Sequence, residues 1–294
     1  MYISYSGYKS LDACPKLYWY SYIGKPFVDV PDNRVNSLFG TIIGQLFEWF
    51  YNEKLWTETN VEHKLRDRLY SSFDNILVRE TRQGVIKWKP EDKKANYVSP
   101  EALKEDVESA IPRGLRIIKH HRLLGPMASA EVKLDHTVGP HTIGGRADFV
   151  MRRMKPHLDL ILLDGKGSKW RDKYVDARQL RWYSMLHRLK LQVTPDRLGF
   201  VYWRFEPEEA LDWVECSAKD LDDLQAEVVG ALDKLEKDVA DVAADPTRLP
   251  QAFPVQPGES CHFCKYLTLC PEGQKFDSSK APKHTGTGVE DVGL

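Results

Sequence analysis

The sequence predicts an α/β fold in which a helical N-terminal portion precedes a strand-rich core, and three stretches predict it. SLFGTIIGQLFEWFYNEKLW, residues 37–56, is so dense in apolar side chains that it reads as a buried helix. From Ala128 the character changes to short strand-like runs split by turn residues such as Gly139-Pro140 and Lys155-Pro156. From Asp220 to Ala243, Leu221, Leu224, Val228, Leu232, Leu235 and Val239 recur at three- and four-residue steps, the period of an amphipathic helix. A chain of 294 residues that is 42% hydrophobic can bury a substantial core.

Taken in order, SYSGYKSLDACPKLYWYSYIG opens with serines suited to a helix N-cap and predicts a helix from Gly7 to Tyr22, ending near Gly24 and Pro26. The buried helix follows, with Glu48 an unusual charge within it. Residues 61–82 and 100–124 read as two more helices, separated by a loop around KWKPEDKKANYVSP. ASAEVKLDH, HTIGGRADFVM and LDLILLDGK then read as strands, Asp172 to Lys190 as a helix, and LGFVYWRF and LDWVECS as further strands of the same sheet. After the amphipathic helix comes a cysteine segment, and the tail KFDSSKAPKHTGTGVEDVGL lacks apolar periodicity and is expected to be disordered. The expected organisation is one domain over 1–272: a mainly helical segment over 1–127, a sheet core over 128–218, a helix over 219–245 and the cysteine segment over 258–272, followed by a tail over 273–294.

No run of eighteen apolar residues occurs and MYISYSGYKS lacks the regions of a signal peptide, so the expected location is intracellular, cytoplasmic or host-cytoplasmic for a viral chain, with no membrane partner. A formal charge of -1 gives no global attraction to nucleic acid. Local charge differs: Gly144 to Lys190 holds twelve Lys or Arg against five Asp. Such a run is either a nucleic-acid surface or an ordinary solvated face. No GKT or GKS phosphate loop is present, so no motor activity is expected.

The chemistry concentrates between Gly144 and Tyr183. Alternation along a strand puts Asp164 and Lys166 of LLDGK on one face, an anion beside a cation, and the preceding strand delivers Asp148. Two carboxylates that hold a hard divalent cation, with a lysine that orients or polarises water, suit phosphodiester hydrolysis. Asp148 could equally be a solvated strand-edge acid, and Lys166 a simple ion-pair partner of Asp164. Gln179 and Tyr183, four residues apart, share one helix face. Of five cysteines, Cys261, Cys264 and Cys270 cluster in CHFCKYLTLC and Cys14 lies near the other terminus. Clustered thiols in an intracellular chain more often bind metal than form disulfides, and four thiolates suit either a [4Fe-4S] cluster or tetrahedral Zn2+. Cys216 stands apart and reads as a small apolar residue.

The ordered set Gly145-Arg146-Ala147-Asp148, Asp164-Gly165-Lys166, then Gln179 and Tyr183 resembles the core motifs and QxxxY helix of the PD-(D/E)XK nucleases, in their RecB-like branch. The cysteine arrangement is similar to the iron-sulfur staple of the AddB nuclease domain and the CRISPR-associated exonuclease. The resemblance covers residues 1–272. It implies a restriction-endonuclease-like core, a mixed central sheet flanked by helices, with a helical N-terminal elaboration and a staple joining the termini. It implies Asp148, Asp164 and Lys166 as catalytic residues and Mg2+ or Mn2+ held by the two aspartates. Gln179 and Tyr183 would orient substrate, and Glu131 and Arg146 would be accessory. Family likeness favours [4Fe-4S] over Zn2+ at Cys14, Cys261, Cys264 and Cys270. The expected activity is a metal-dependent exonuclease on DNA ends or single strands, with a recombination, repair or CRISPR-type protein partner. One departure stands out: GTIIGQLFE has Gly44, followed by Gln45, where many RecB-like nucleases carry a metal-binding histidine. Glu48, one turn on, could supply an oxygen ligand instead. The alternative is a nucleic-acid-binding or interaction module that kept the fold and lost cleavage.

Overall fold

The computed structural model describes residues 1–28, 35–81, 88, 97–125, 127–171 and 175–276. Its centre is a five-stranded mixed sheet of β2 (Ser129–Lys133), β5 (Arg146–Arg152), β6 (Leu160–Lys166), β7 (Arg197–Tyr202) and β8 (Leu211–Val214), in the order β2-β5-β6-β7-β8. Within this sheet, among the described residues, only β6 and β7 run parallel. A parallel pair needs a crossover, and α6 (Ala177–Leu191) supplies it. A second sheet of three strands, β1 (Tyr2–Ser4), β4 (His141–Gly144) and β3 (His136–Val138), is built in the order β1-β4-β3. The sequence-based reading placed all strands in one sheet and missed β1. HTIGGRADFVM is in fact divided at Gly145, its first half joining the small sheet and its second half the large one.

The two faces of the large sheet follow the period-2 pattern of its strands. Phe149, Met151, Ile161, Leu163, Val201 and Trp203 pack on one side against α3 (Val35–Asn52), α4 (Val61–Thr81) and α5 (Pro100–His120). Val150, Leu160, Leu162, Leu198, Phe200 and Tyr202 pack on the other against α1 (Tyr5–Ala13), α6 and α7 (Ala218–Ala244). In α3, Leu38, Phe39, Ile42, Ile43, Leu46, Phe47, Phe50 and Tyr51 are all buried, each contributing about 1.5–3 kcal/mol of transfer free energy. Helix α7 starts at a capping box, in which Ser217 and Asp220 satisfy each other's backbone N–H groups.

The single helix expected over 7–22 is broken. Cys14 is extended, because the ring of Pro15 excludes the helical conformation from the residue before it. The chain restarts as α2 (Pro15–Tyr18) and a π-helical stretch Trp19–Gly24. After α7 come α8 (Leu249–Ala252), two 3-10 turns over the cysteine segment and α9 (Pro271–Gln274), so helical structure runs past the expected start of the tail at 273. The remainder of the tail expectation, residues 277–294, and most of the loop expectation around residues 82–96 lie outside the described residues. Among the described residues no helix is long and apolar enough to cross a membrane.

Candidate active site

Strand register builds the site. Ala130 pairs with Phe149 and Val132 with Ala147, so Glu131 stands opposite Asp148. Phe149 pairs with Leu163, and continuing that antiparallel register puts Asp148 opposite Asp164. Three carboxylates from three adjacent strands therefore lie within electrostatic reach of one another, and Phe200 of β7 pairs with Asp164 at the far side. The β5–β6 pairing ends at Phe149 and Leu163, and beyond it Gly165 N–H donates to Asp148 Oδ2 at 2.8 Å. Beyond that point the strands are held together by a side chain rather than by backbone.

Asp164 is 2% exposed and its Oδ2 is 2.6 Å from Lys166 Nζ. The contact is an ion pair, and Asp164 Oδ2 is otherwise a buried oxygen without a hydrogen-bond partner. Lys166 Nζ also donates to Gln179 Oε1 at 3.3 Å, and Gln179 Nε2 donates to Tyr183 OH at 3.4 Å. The spacing of four thus gives a relay along α6 that ends on the lysine. The Lys166 ammonium also lies 5.2 Å from the centre of the Phe200 ring.

Electrostatics reflect the crowding of acids. Burial, then the neighbouring Asp164 charge, raises the Asp148 carboxyl well above the usual carboxylate range, against the opposing Gly165 hydrogen bond. Burial and then the Glu48 charge raise Glu131, although Arg146 Nη1, 3.3 Å from Glu131 Oε2, pulls the other way. For Lys166 desolvation favours the neutral amine, but Asp164 outweighs it and the net shift is upward. The lysine is therefore an ammonium in this state.

Each acid has a positional cause. Asn52, one turn after Glu48 on α3, accepts the Ala130 N–H at 3.2 Å, pinning the helix end to β2 so that Glu48 faces the next residue, Glu131. Glu131 itself has φ of 54, a left-handed conformation costing about 1–2 kcal/mol in a non-glycine residue. The glycine pair before Arg146 serves α6: Gly144 O accepts the buried Trp182 indole N–H at 3.1 Å, and a Cβ on Gly145 would stand 2.8 Å from the Tyr183 ring. After Lys166 the chain passes so close to α3 that a Cβ on Gly167 would lie 2.6 Å from Gly40 Cα. Arg204, which the sequence reading missed, fixes that turn: its Nε donates to Gly167 O at 2.7 Å and its Nη1 to Asp106 at 2.6 Å. Nothing local in WRF marks that arginine, because its partners are 37 and 98 residues away.

Among the described residues, no three His, Cys, Asp or Glu side chains stand in a ready-made ligand arrangement. The carboxylates nevertheless fit a hard cation. A buried Asp164 carboxylate paired with Lys166, an Asp148 carboxyl raised by burial and then by the Asp164 charge, and Glu131 beside them make a cluster of oxygen donors of the kind a hard cation takes. A Cβ on Gly44 would meet nothing within 4 Å, so the place of the missing imidazole is open space.

The thiols of Cys14, Cys261, Cys264 and Cys270 are free and mutually close: burial raises the Cys264 and Cys270 thiols, and the other cysteines of the group add to the rise. Three sulfurs receive backbone amides, Gln256 N on Cys14 at 3.5 Å, Gly258 N on Cys261 at 3.5 Å and Gly273 N on Cys270 at 3.3 Å. A Cβ on Gly273 would lie 3.2 Å from the Cys270 sulfur and 3.5 Å from that of Cys261. Backbone amides on three of the sulfurs are donors a thiolate accepts, while the sulfurs as placed form no ready-made metal-ligand group among the described residues. Cys216 lies outside this group, half-buried, with its thiol raised by burial.

No curated protein matches the chain. Among solved structures it is similar to a Eubacterium rectale protein titled "Putative exonuclease", with 14% identity, 77% of each chain covered and a TM-score of 0.41. It is also similar to the protein SSO0001, with 16% identity, 58% of this chain and 74% of that one covered and a TM-score of 0.28. The family model of the PD-(D/E)XK nuclease superfamily matches residues 2–271. With nearly its whole described length matched, the chain belongs to the PD-(D/E)XK nuclease superfamily.

Proposed function

We propose that the protein is a metal-dependent DNA nuclease, an exonuclease acting on DNA ends or single strands, with residues 1–272 as its working unit. The observation that carries this reading is the group of Glu131, Asp148 and Asp164 with Lys166 paired to Asp164. Asp148 and Asp164 would hold Mg2+ or Mn2+, with Glu131 and Glu48 as further oxygen donors. A bound ion would supply Lewis acidity to the scissile phosphate. Lys166 holds its proton at Nζ, where it stabilises negative charge on the phosphate oxygens and orients the attacking water. Gln179 fixes that Nζ from the helix side, and Tyr183 fixes Gln179. The hydrolysis breaks a P–O bond, puts water's oxygen on phosphorus and sends a proton to the leaving oxygen.

Cys14, Cys261, Cys264 and Cys270 would hold a [4Fe-4S] cluster, with Zn2+ as the other occupant that four thiolates accept. Either would cross-link the two ends of the described chain. Brown protein with equimolar iron and acid-labile sulfide supports the cluster, whereas colourless protein with zinc overturns it.

A second reading is a DNA-binding module without cleavage, and the open space at Gly44 favours it. Labelled single-stranded DNA with Mn2+ separates the two. Degradation that needs the metal and falls by about 10³-fold or more in Asp164→Ala supports the nuclease. Binding without degradation in Mg2+ and Mn2+ supports the module.

A further inference from the structure

Beside the carboxylates lies a cavity of about 290 Å³. Its walls are Tyr2 and Ser4 of β1, Tyr5 and Ser6 at the start of α1, Lys133 and Asp135 at the end of β2, Gly145 and Arg146 at the start of β5, and Tyr183 of α6. Three sequence-distant parts of the chain, residues 2–6, 133–146 and Tyr183, therefore meet there, and Tyr183 is shared with the relay that ends on Lys166.

The cations in this wall are placed against their own stability. Lys133 and Arg146 are directly paired across β2 and β5. Like charges opposite each other in a sheet repel, by roughly 0.2–1 kcal/mol. Each is partly answered by one acid, Lys133 by Asp135 at 2.9 Å and Arg146 by Glu131 at 3.3 Å, yet both side chains remain mostly exposed, at 71% and 62%. An anion bridging the two would remove the repulsion. Around them stand three tyrosine rings, of which Tyr2 is 56% exposed while Tyr5 and Tyr183 are packed edge-on to each other, with ring centres 6.5 Å apart. Cations paired for a phosphate, beside exposed and buried aromatic faces, are the components that hold a single nucleic-acid strand.

We propose that this cavity is a subsite for the nucleotide next to the scissile phosphate of a single strand. Its phosphate lies on the Lys133–Arg146 pair and its base lies against Tyr2. This deepens the nuclease reading and rests on it, since it makes the cavity the place where the strand is gripped while the neighbouring bond faces Asp148 and Asp164. The grip falls on the backbone and a ring face, so it carries no base preference.

The test uses the full chain, a fluorescent oligo-dT and Ca2+ in place of the active metal, so that binding is read without cleavage. Lys133→Gln and Arg146→Gln together are expected to weaken binding by about tenfold and to cut the slope of log affinity against log salt by about 0.7, the loss of one neutralised phosphate. Tyr2→Ala is expected to weaken binding without changing that slope. In the cleavage assay Lys133→Gln is expected to raise KM at unchanged kcat, as for a contact kept equally in ground and transition states. All three side chains are mostly exposed, and unchanged thermal unfolding will confirm folded variants. Oligo-dT affinity and salt slope unaffected by the double substitution, or no oligo-dT binding by the parent chain, would overturn the subsite. A parent chain that cleaves normally while the double variant keeps its KM sinks the subsite and leaves the nuclease reading intact. A parent chain that binds but never cleaves, with binding lost in the double variant, sinks the nuclease reading and leaves the cavity as a strand-binding site.

Discussion

Asp148 shows how a functional carboxylate is kept in readiness at a cost. Burial and the Asp164 charge raise it, so the folded chain holds a proton there that the unfolded chain would release. The stability tied to this group is therefore full below the ordinary carboxylate range and is lost as pH rises through the raised value. Asp148→Asn keeps an acceptor for the Gly165 N–H and removes the ionisable group whose protonation or buried charge opposes folding at neutral pH, so it is expected to stabilise the protein by about 1 kcal/mol or more while abolishing metal binding. Differential scanning calorimetry checks the first and Mn2+ titration the second; a variant less stable than its parent at pH 7 would contradict the charge argument. The same shift predicts that metal affinity rises with pH and that binding releases protons, read as a buffer-dependent heat in calorimetric titration. Equal heats in buffers of different ionisation enthalpy would mean that Asp148 is already ionised.

At the scale of elements, the site depends on how closely α3 lies against the end of β6. Gly167 and Gly40 are in backbone contact, and a methyl group on Gly167 must push the helix away or twist the strand end that carries Lys166. Gly167→Ala is expected to cost about 1–3 kcal/mol in urea unfolding and to lower kcat. Gly44, one turn after Gly40 on the same helix, has open space around its missing Cβ. Gly44→Ala is expected to do the opposite, a gain of about 1 kcal/mol from helix propensity with the site undisturbed. The two substitutions thus make a paired test, and equal effects would show that close approach is not what position 167 requires. Arg204 belongs to the same argument, since it ties the turn after Lys166 to α5 through Asp106.

For the whole molecule the cysteines raise the question of what closes the chain. Cys14 follows α1, and Cys261, Cys264 and Cys270 follow α7 and α8, yet their thiols influence one another. If a metal centre joins them, Cys14→Ser will lose the metal and several kcal/mol of stability, because binding free energy at such a centre is folding free energy. Limited proteolysis would then show early cutting between residues 254 and 276. Unchanged metal content and unchanged cutting would place Cys14 outside the centre. The neighbouring contacts Tyr266 OH to Tyr20 O at 3.0 Å and Lys16 N to Pro254 O at 3.3 Å also join the two ends, so the variant is expected to loosen this corner rather than unfold the domain.

What the sequence determined by itself was local or periodic. The apolar stripe of α3, the step pattern of α7 and the D-x-K alternation of β6 are repeats that the backbone geometry turns directly into faces, which is why Asp164 and Lys166 could be placed together before any fold was known. Ordered motifs also carried the superfamily. Tertiary structure alone decided the rest. It divided HTIGGRADFVM between two sheets, added β1 to the smaller one, broke the first helix at Cys14, set Glu131 opposite Asp148 and brought Tyr2 beside Lys133 and Arg146. Each of those outcomes joins segments by pairing or packing across many residues, and the energy of such contacts belongs to partners that a local stretch of sequence does not contain.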